Sequence, residues 1–144
     1  MTLILEPLPE NTKRMTKPCD ACPYSPGVTP GALGGSDPAV YIGQGHGAFW
    51  LPCHKTCDFG DPEWKTNYSG TQQCAGAAIY RANIKRDALM PAQLLKLPAS
   101  DQAFESAAKL YAHHKGISLE EATAWLLHNS PEFLMHREFH RAKY

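Results

Sequence analysis

Cys19, Cys22, Cys53, Cys57 and Cys74, with His54 beside one of them, are the residues of this sequence best equipped for chemistry. All five cysteines fall between positions 19 and 74, a distribution that packing alone does not produce. The two residues between Cys19 and Cys22 let a tight turn aim both sulfurs at one ion, with backbone amides free to hydrogen-bond them. Two ligand sets follow. Cys19, Cys22, Cys53 and Cys57 form two knuckle-like pairs suited to tetrahedral zinc. Cys19, Cys22, Cys53 and Cys74 bring three separated segments onto a larger object, as a 4Fe-4S iron-sulfur cluster requires. Pro23 directly after a cysteine leans toward the second set, but spacing leaves the two nearly even. His54 reads as an alternative ligand or as a group that holds a ligand in place. As a general base it would need an orienting carboxylate, for which Asp58 or Asp61 stands near in sequence.

The chain that positions these groups has 144 residues, enough for one domain with a core that needs no disulfide staple. Its 14 basic and 14 acidic residues cancel, so no global field draws it to nucleic acid or to a membrane, and any nucleic-acid contact must use a local patch. The first six residues are too short and too soon charged for a signal peptide, and no apolar run approaches a membrane span. The expectation is a soluble, cytoplasmic protein, in whose reducing surroundings clustered cysteines bind metal or do chemistry rather than pair.

The expected fold is mainly α, with an irregular, metal-organised N-terminal half, few short strands and a small C-terminal helical bundle. Within one domain, residues 1–18 read as an extended arm, 19–86 as the cysteine metal-site region and 87–144 as the helical region. Between Tyr24 and Gly47 the density of Pro and Gly predicts a long surface loop with at most a brief strand at Val40 to Ile42. Phe49, Trp50 and Leu51 form an apolar step, read as a lid that keeps water off the site. Residues 58–70 are polar and turn-rich, a loop carrying Trp64 and Tyr68. From Cys74 to Arg86 the sequence reads as a helix whose small residues permit close approach, with a cysteine where amides and dipole favour a thiolate. Further on, Pro91 to Leu97 predicts a short helical turn. A second helix, capped by Ser100 or Asp101, ends at Gly116; Ser118 to Glu121 is a capping box; and Pro131 opens a last helix through Phe139. His113, His114, His128, His136 and His140 read as surface or satisfied histidines, the last two one turn apart.

Cys-x-x-Cys-Pro from Cys19, Cys-His-Lys-Thr from Cys53 and Cys-Ala-Gly from Cys74 give residues 18–77 a pattern that resembles a family of small uncharacterised phage and actinobacterial proteins. The resemblance implies Cys19, Cys22, Cys53 and Cys74 as the recurring four, with Cys57 peculiar to this sequence, and so favours the cluster. Where such proteins often carry Trp-Arg after Cys-Pro, this chain has Tyr24-Ser25. In cysteine count and size alone it is similar to the small iron-sulfur transcription regulators of actinobacteria.

Two functional classes follow. One is a metal-organised regulatory or interaction module acting on nucleic acid or a host protein, its centre holding loops in place and sensing oxidant. The other is an enzyme using the metal site or a Cys57-His54 pair for redox or hydrolytic chemistry, and a purely structural zinc site is a third possibility. The module is preferred because no complete catalytic constellation can be named. For such a module the cations nearest the site, Arg81, Lys85 and Arg86, form the expected nucleic-acid or partner contact. Arg137, Arg141 and Lys143 form a second basic group.

Overall fold

The computed structural model describes residues 18–19, 21–33, 36–49, 51, 73–92 and 94–135. The expected N-terminal arm up to residue 17, Trp50, the loop of residues 58–70 and the C-terminal basic group lie outside them, as do Cys53, His54, Cys57, His136, Phe139 and His140. Within them the protein is mainly helical, and the only extended pairing is an isolated bridge residue, Gln73. The described helices are α1 (Pro38–His46), α2 (Ala75–Asn83), α3 (Ala107–Lys115) and α4 (Leu119–His128), with a 3-10 turn at Asp87–Leu89 and helical backbone again over 131–135. None is long and apolar enough to cross a membrane.

The first correction is α1, which occupies the stretch expected to be a surface loop. Asp37 caps it by accepting from the Ala39 amide at 2.9 Å, and Pro38 takes the first position, where its missing N–H costs nothing. Its glycines are not turn formers. A Cβ on Gly45 would lie 3.0 Å from the Tyr80 ring and 3.2 Å from the Tyr24 ring, so this glycine marks where two aromatic side chains press on the helix. Pro38, Ala39, Tyr41, Ile42, Gly43, Gly45 and His46 are all buried, and α1 packs on both α2 and α3.

The helix after Cys74 forms as expected but stops at Asn83, short of Arg86. Its exit is a Schellman turn: the Arg86 amide donates to the Arg81 carbonyl at 2.8 Å and the Lys85 amide to the Ala82 carbonyl at 3.1 Å. Lys85 therefore takes a left-handed conformation, φ 61°, a position usually filled by glycine. A left-handed residue also closes α3: Gly116 has φ 67°, and its amide and that of Ile117 both donate to the Ala112 carbonyl.

Helix α3 begins six residues later than the expected Ser100 cap, at Ser106, whose hydroxyl accepts from the Lys109 amide. Tertiary contacts hold the residues before it. The Asn83 amide donates to the carbonyls of Ser100, Ala103 and Phe104, and the Phe104 amide donates to the Tyr24 carbonyl at 2.9 Å. Residues 91–92 and 94–97 are not helical either; there the Leu95 amide donates to the Gln73 side chain at 2.7 Å, and Leu94 and Leu95 are buried.

Ser118 caps α4, its hydroxyl accepting from the Glu121 amide at 3.0 Å and donating to the Glu121 carboxylate at 3.2 Å. Along α3 the buried Ala107, Leu110, Tyr111 and His114 follow helical periodicity. Trp125 of α4 stacks on Tyr111 with ring centroids 4.2 Å apart. One core cluster runs from Cys22 and Tyr24 through Ile42, Tyr80 and Leu110 to Leu134, drawing on both halves of the chain.

Candidate metal centre

Two of the described cysteines, Cys22 and Cys74, meet at the N-terminus of α2. Cys19 and Cys22 form the expected tight turn, the Cys22 amide donating to the Cys19 carbonyl at 3.1 Å, and both cysteines pack against the core. Cys74 caps α2, its sulfur accepting from the Ala77 amide at 3.4 Å. Across 52 residues of chain, the Cys22 and Cys74 Sγ atoms stand 3.6 Å apart.

Gly76 makes that approach possible. A Cβ there would collide with the Cys22 sulfur and sit 3.2 Å from the Tyr24 Cβ. The Cys-Ala-Gly motif is thus a helix start with a notch in its first turn, filled by a sulfur from another segment.

The two sulfurs differ electrostatically. The hydrogen bond to Cys74 and burial both push the Cys22 thiol up, so it holds its proton. Cys74 is lowered, first by the hydrogen bond from Cys22 and, against its burial, by the Ala77 and Gly76 amides and the Arg81 charge. The shifts run in opposite directions, so Cys22 is the better donor of the pair and Cys74, at the positive end of α2, the better acceptor.

Arg81 departs from the sequence reading most clearly. It is 3% exposed, which removes it from the expected partner contact. Its Nε donates to the Gly45 carbonyl at 2.9 Å, and Nη2 reaches the carbonyls of Gln44, Gly47 and Phe49 at 3.1, 2.8 and 3.1 Å. The side chain extends from α2 across the end of α1, whose last carbonyls it satisfies. Arg86 is half-buried, donating to the His46 carbonyl at 2.9 Å and lying 3.8 Å from Glu132. Lys85 is exposed.

Residues 49 and 51 lead toward the Cys53 motif. Phe49 is buried, and the Leu51 carbonyl accepts from the Cys74 amide at 2.7 Å. Cys53, Cys57 and His54 lie outside the described residues, among which no group of three metal-binding side chains stands together.

Three histidines carry roles that the sequence reading missed or left general. The buried His46 pairs through Nε2 with the Tyr80 hydroxyl at 3.0 Å, while its Nδ1 has no partner among the described residues. His114 accepts from the Gly31 amide through Nδ1 at 3.1 Å and meets the Pro23 carbonyl through Nε2 at 2.8 Å, which fixes the proton on Nε2. His113 reaches the Val28 carbonyl at 2.7 Å. Together His113 and His114 fasten the segment after Cys22 to α3. No sequence pattern marks such contacts, which join residues more than 80 positions apart.

A small, mainly helical protein with a part-buried cysteine pair at a helix N-terminus is the class that fold and site define. Compared with protein-family models, curated proteins and solved structures, the chain matches none.

Proposed function

We propose that the protein is a metal-thiolate module, with Cys19, Cys22, Cys53 and Cys74 as ligands, whose centre organises the N-terminal half for interaction with a partner. The observation that carries this reading is the 3.6 Å between the Cys22 and Cys74 sulfurs. Two thiolates on one tetrahedral zinc, at Zn–S distances of about 2.3 Å, stand about 3.8 Å apart. In a 4Fe-4S cluster each thiolate binds a different iron, so the separation includes a metal–metal edge and is much larger. The distance therefore supports mononuclear zinc over the cluster. Cys53 qualifies as the fourth ligand because two residues span at most about 7 Å, and Leu51 is fixed to Cys74. With Arg81 buried and Arg86 beside Glu132, the α2 end offers nucleic acid little more than Lys85, which favours a protein partner.

The test is metal and sulfide analysis, with visible absorption, on protein purified without oxygen. Colourless protein with one zinc per chain is expected. A brown protein with iron and sulfide would replace zinc by the cluster, and the absence of both metals would overturn the reading.

The same sulfur pair supports a second reading, a redox couple. In it Cys22 and Cys74 pass two electrons and two protons to a hydroperoxide, leaving a disulfide, water and an alcohol. Thiol titration of metal-free protein before and after peroxide, with two thiols lost, tests it.

A further inference from the structure

The last turn of α3 fastens the strap of residues 23–33 and the start of α1 with three consecutive side chains. His113 meets the Val28 carbonyl at 2.7 Å, His114 takes the Gly31 amide at 3.1 Å and the Pro23 carbonyl at 2.8 Å, and Lys115 pairs with Asp37 at 2.8 Å. Held in this way, the apolar side chains of the strap, Val28 and Leu33, are only 4% and 3% exposed. The Gly31 tie differs from the others in the proton it needs. His114 Nδ1 accepts there and must carry no hydrogen, whereas the ties to Pro23 and Val28 are donations to carbonyls, which an imidazolium makes equally well. A second proton on His114 would set two N–H groups face to face.

The surroundings favour the neutral ring. Burial lowers the His114 pKa, and His113, with its ring centroid 5.0 Å away, adds to the shift; the Pro23 carbonyl opposes them only in part. The charged and titratable groups on the packed elements are engaged elsewhere. Asp37 pairs with Lys115, Tyr41 and His46 of α1 hydrogen-bond Leu33 and Tyr80, and Glu120, Glu121 and His128 of α4 are exposed.

We propose that His114 is an acid-sensitive clasp on the strap: protonation at Nδ1 breaks the Gly31 tie, and the strap opens at that end while Pro23 stays held. The inference goes beyond the metal reading and assumes no ligand on Cys22. Opening uncovers Val28 and Leu33. It also returns His114 toward its ordinary 6.5, so the open strap takes up the proton first. Closure is therefore strongest above pH 6.5 and weakens as pH falls toward the lowered value, the closed-to-open ratio dropping about tenfold per pH unit.

Hydrogen exchange of the Gly31 and Leu110 amides tests this in wild type, His114→Gln and His113→Gln, from about pH 7.5 to about pH 5, with each rate divided by that of an unstructured peptide at the same pH. Leu110, whose amide donates to Ser106 within α3, reports on global unfolding, to which His46 also contributes. Gly31 should be less protected than Leu110. Below pH 6.5 its protection should fall about tenfold per unit in wild type and in His113→Gln, and stay level in His114→Gln. Nitrogen NMR of wild-type His114 should show a neutral Nε2–H ring that titrates below 6.5. Level protection of Gly31 in wild type, the same fall in His114→Gln, or a His114 that titrates at 6.5 or above would each overturn the clasp. Equal protection of Gly31 and Leu110 would do so too, because the strap would then open only with the whole fold. Should His114→Gln fail to fold, wild-type exchange and the ring titration decide. None of these readouts involves metal, so a protein that binds no metal would overturn the earlier reading and leave this one standing on its own measurements.

Discussion

Replacing Gly76 with alanine sets helix propensity against packing, and the two predict opposite signs. Alanine inside a helix is better than glycine by about 0.5–1 kcal/mol, so a freely exposed position would be stabilised. Position 76 is not free: the new methyl group would occupy the place of the Cys22 sulfur and press on the Tyr24 Cβ at 3.2 Å. Cys22 is 1% exposed and has nowhere to withdraw. Overpacking of this kind costs about 1–3 kcal/mol, more than propensity returns. Urea unfolding of Gly76→Ala should therefore show a net loss on the order of 1–2 kcal/mol, with weakened metal binding because the two sulfurs can no longer meet. The double variant Cys22→Ala, Gly76→Ala removes the colliding atom. Its stability should exceed the sum of the single effects by about 1–3 kcal/mol. A Gly76→Ala protein that is more stable than wild type and binds metal normally would refute the packing of Cys22 on α2.

Four further outcomes follow. Lys85→Gly should raise stability by about 0.5–1 kcal/mol in urea melts by relieving the left-handed position at the α2 exit; a loss would mean the lysine side chain is needed there. Burial, with help from Arg86, pushes His46 down to about 4 from an ordinary 6.5. The unfolded chain therefore takes up this proton first, and stability present above pH 6.5 is lost as pH falls to about 4, by up to about 3 kcal/mol. His46→Gln should flatten that slope relative to wild type, and identical slopes in urea melts across this pH range would refute the assignment. Cys57→Ser should keep its metal whereas Cys74→Ser should not, and equal metal content in the two variants would sink the ligand set. Chelation should expose amides around Cys19 to Cys74 to hydrogen exchange more than those of α3 and α4; uniform protection would count against a metal-organised N-terminal half.

The helical character of the second half was legible because its signals are local. Ser118 with Glu121 caps α4 and Gly116 ends α3, as their types and spacing require. Spacing left Cys74 either beside Cys22 or spare; the structure puts their sulfurs 3.6 Å apart. What the sequence hid is non-local. Glycine in α1 reads as a turn former until Tyr80 and Tyr24 are seen to lean on Gly45, and Ser100 reads as a cap until Asn83 claims its carbonyl. Arg81 looked like surface charge because helix periodicity does not show what lies across from each face. The end of α1 lies there, and α1 itself was hidden by its glycines.

The hydrogen bonds from α3 to the segment after Cys22 have a consequence for the order of assembly. His114 meets the Pro23 carbonyl across 91 residues and the Gly31 amide across 83, and His113 meets Val28 across 85. The segment made early is thus held by one made late. At synthesis rates of roughly 5–20 residues per second, Cys19 and Cys22 leave the ribosome roughly 5–20 s before the histidines that secure their loop. High sequence separation also makes this closure slow relative to the formation of α3 and α4, which are neighbours in sequence. During each round of translation the cysteine turn passes through an interval in which it is reactive and unshielded, open to oxidants and to whatever metal is most available. On the metal reading proposed above, the metal supply at that moment, as much as the finished geometry, would decide what the centre captures.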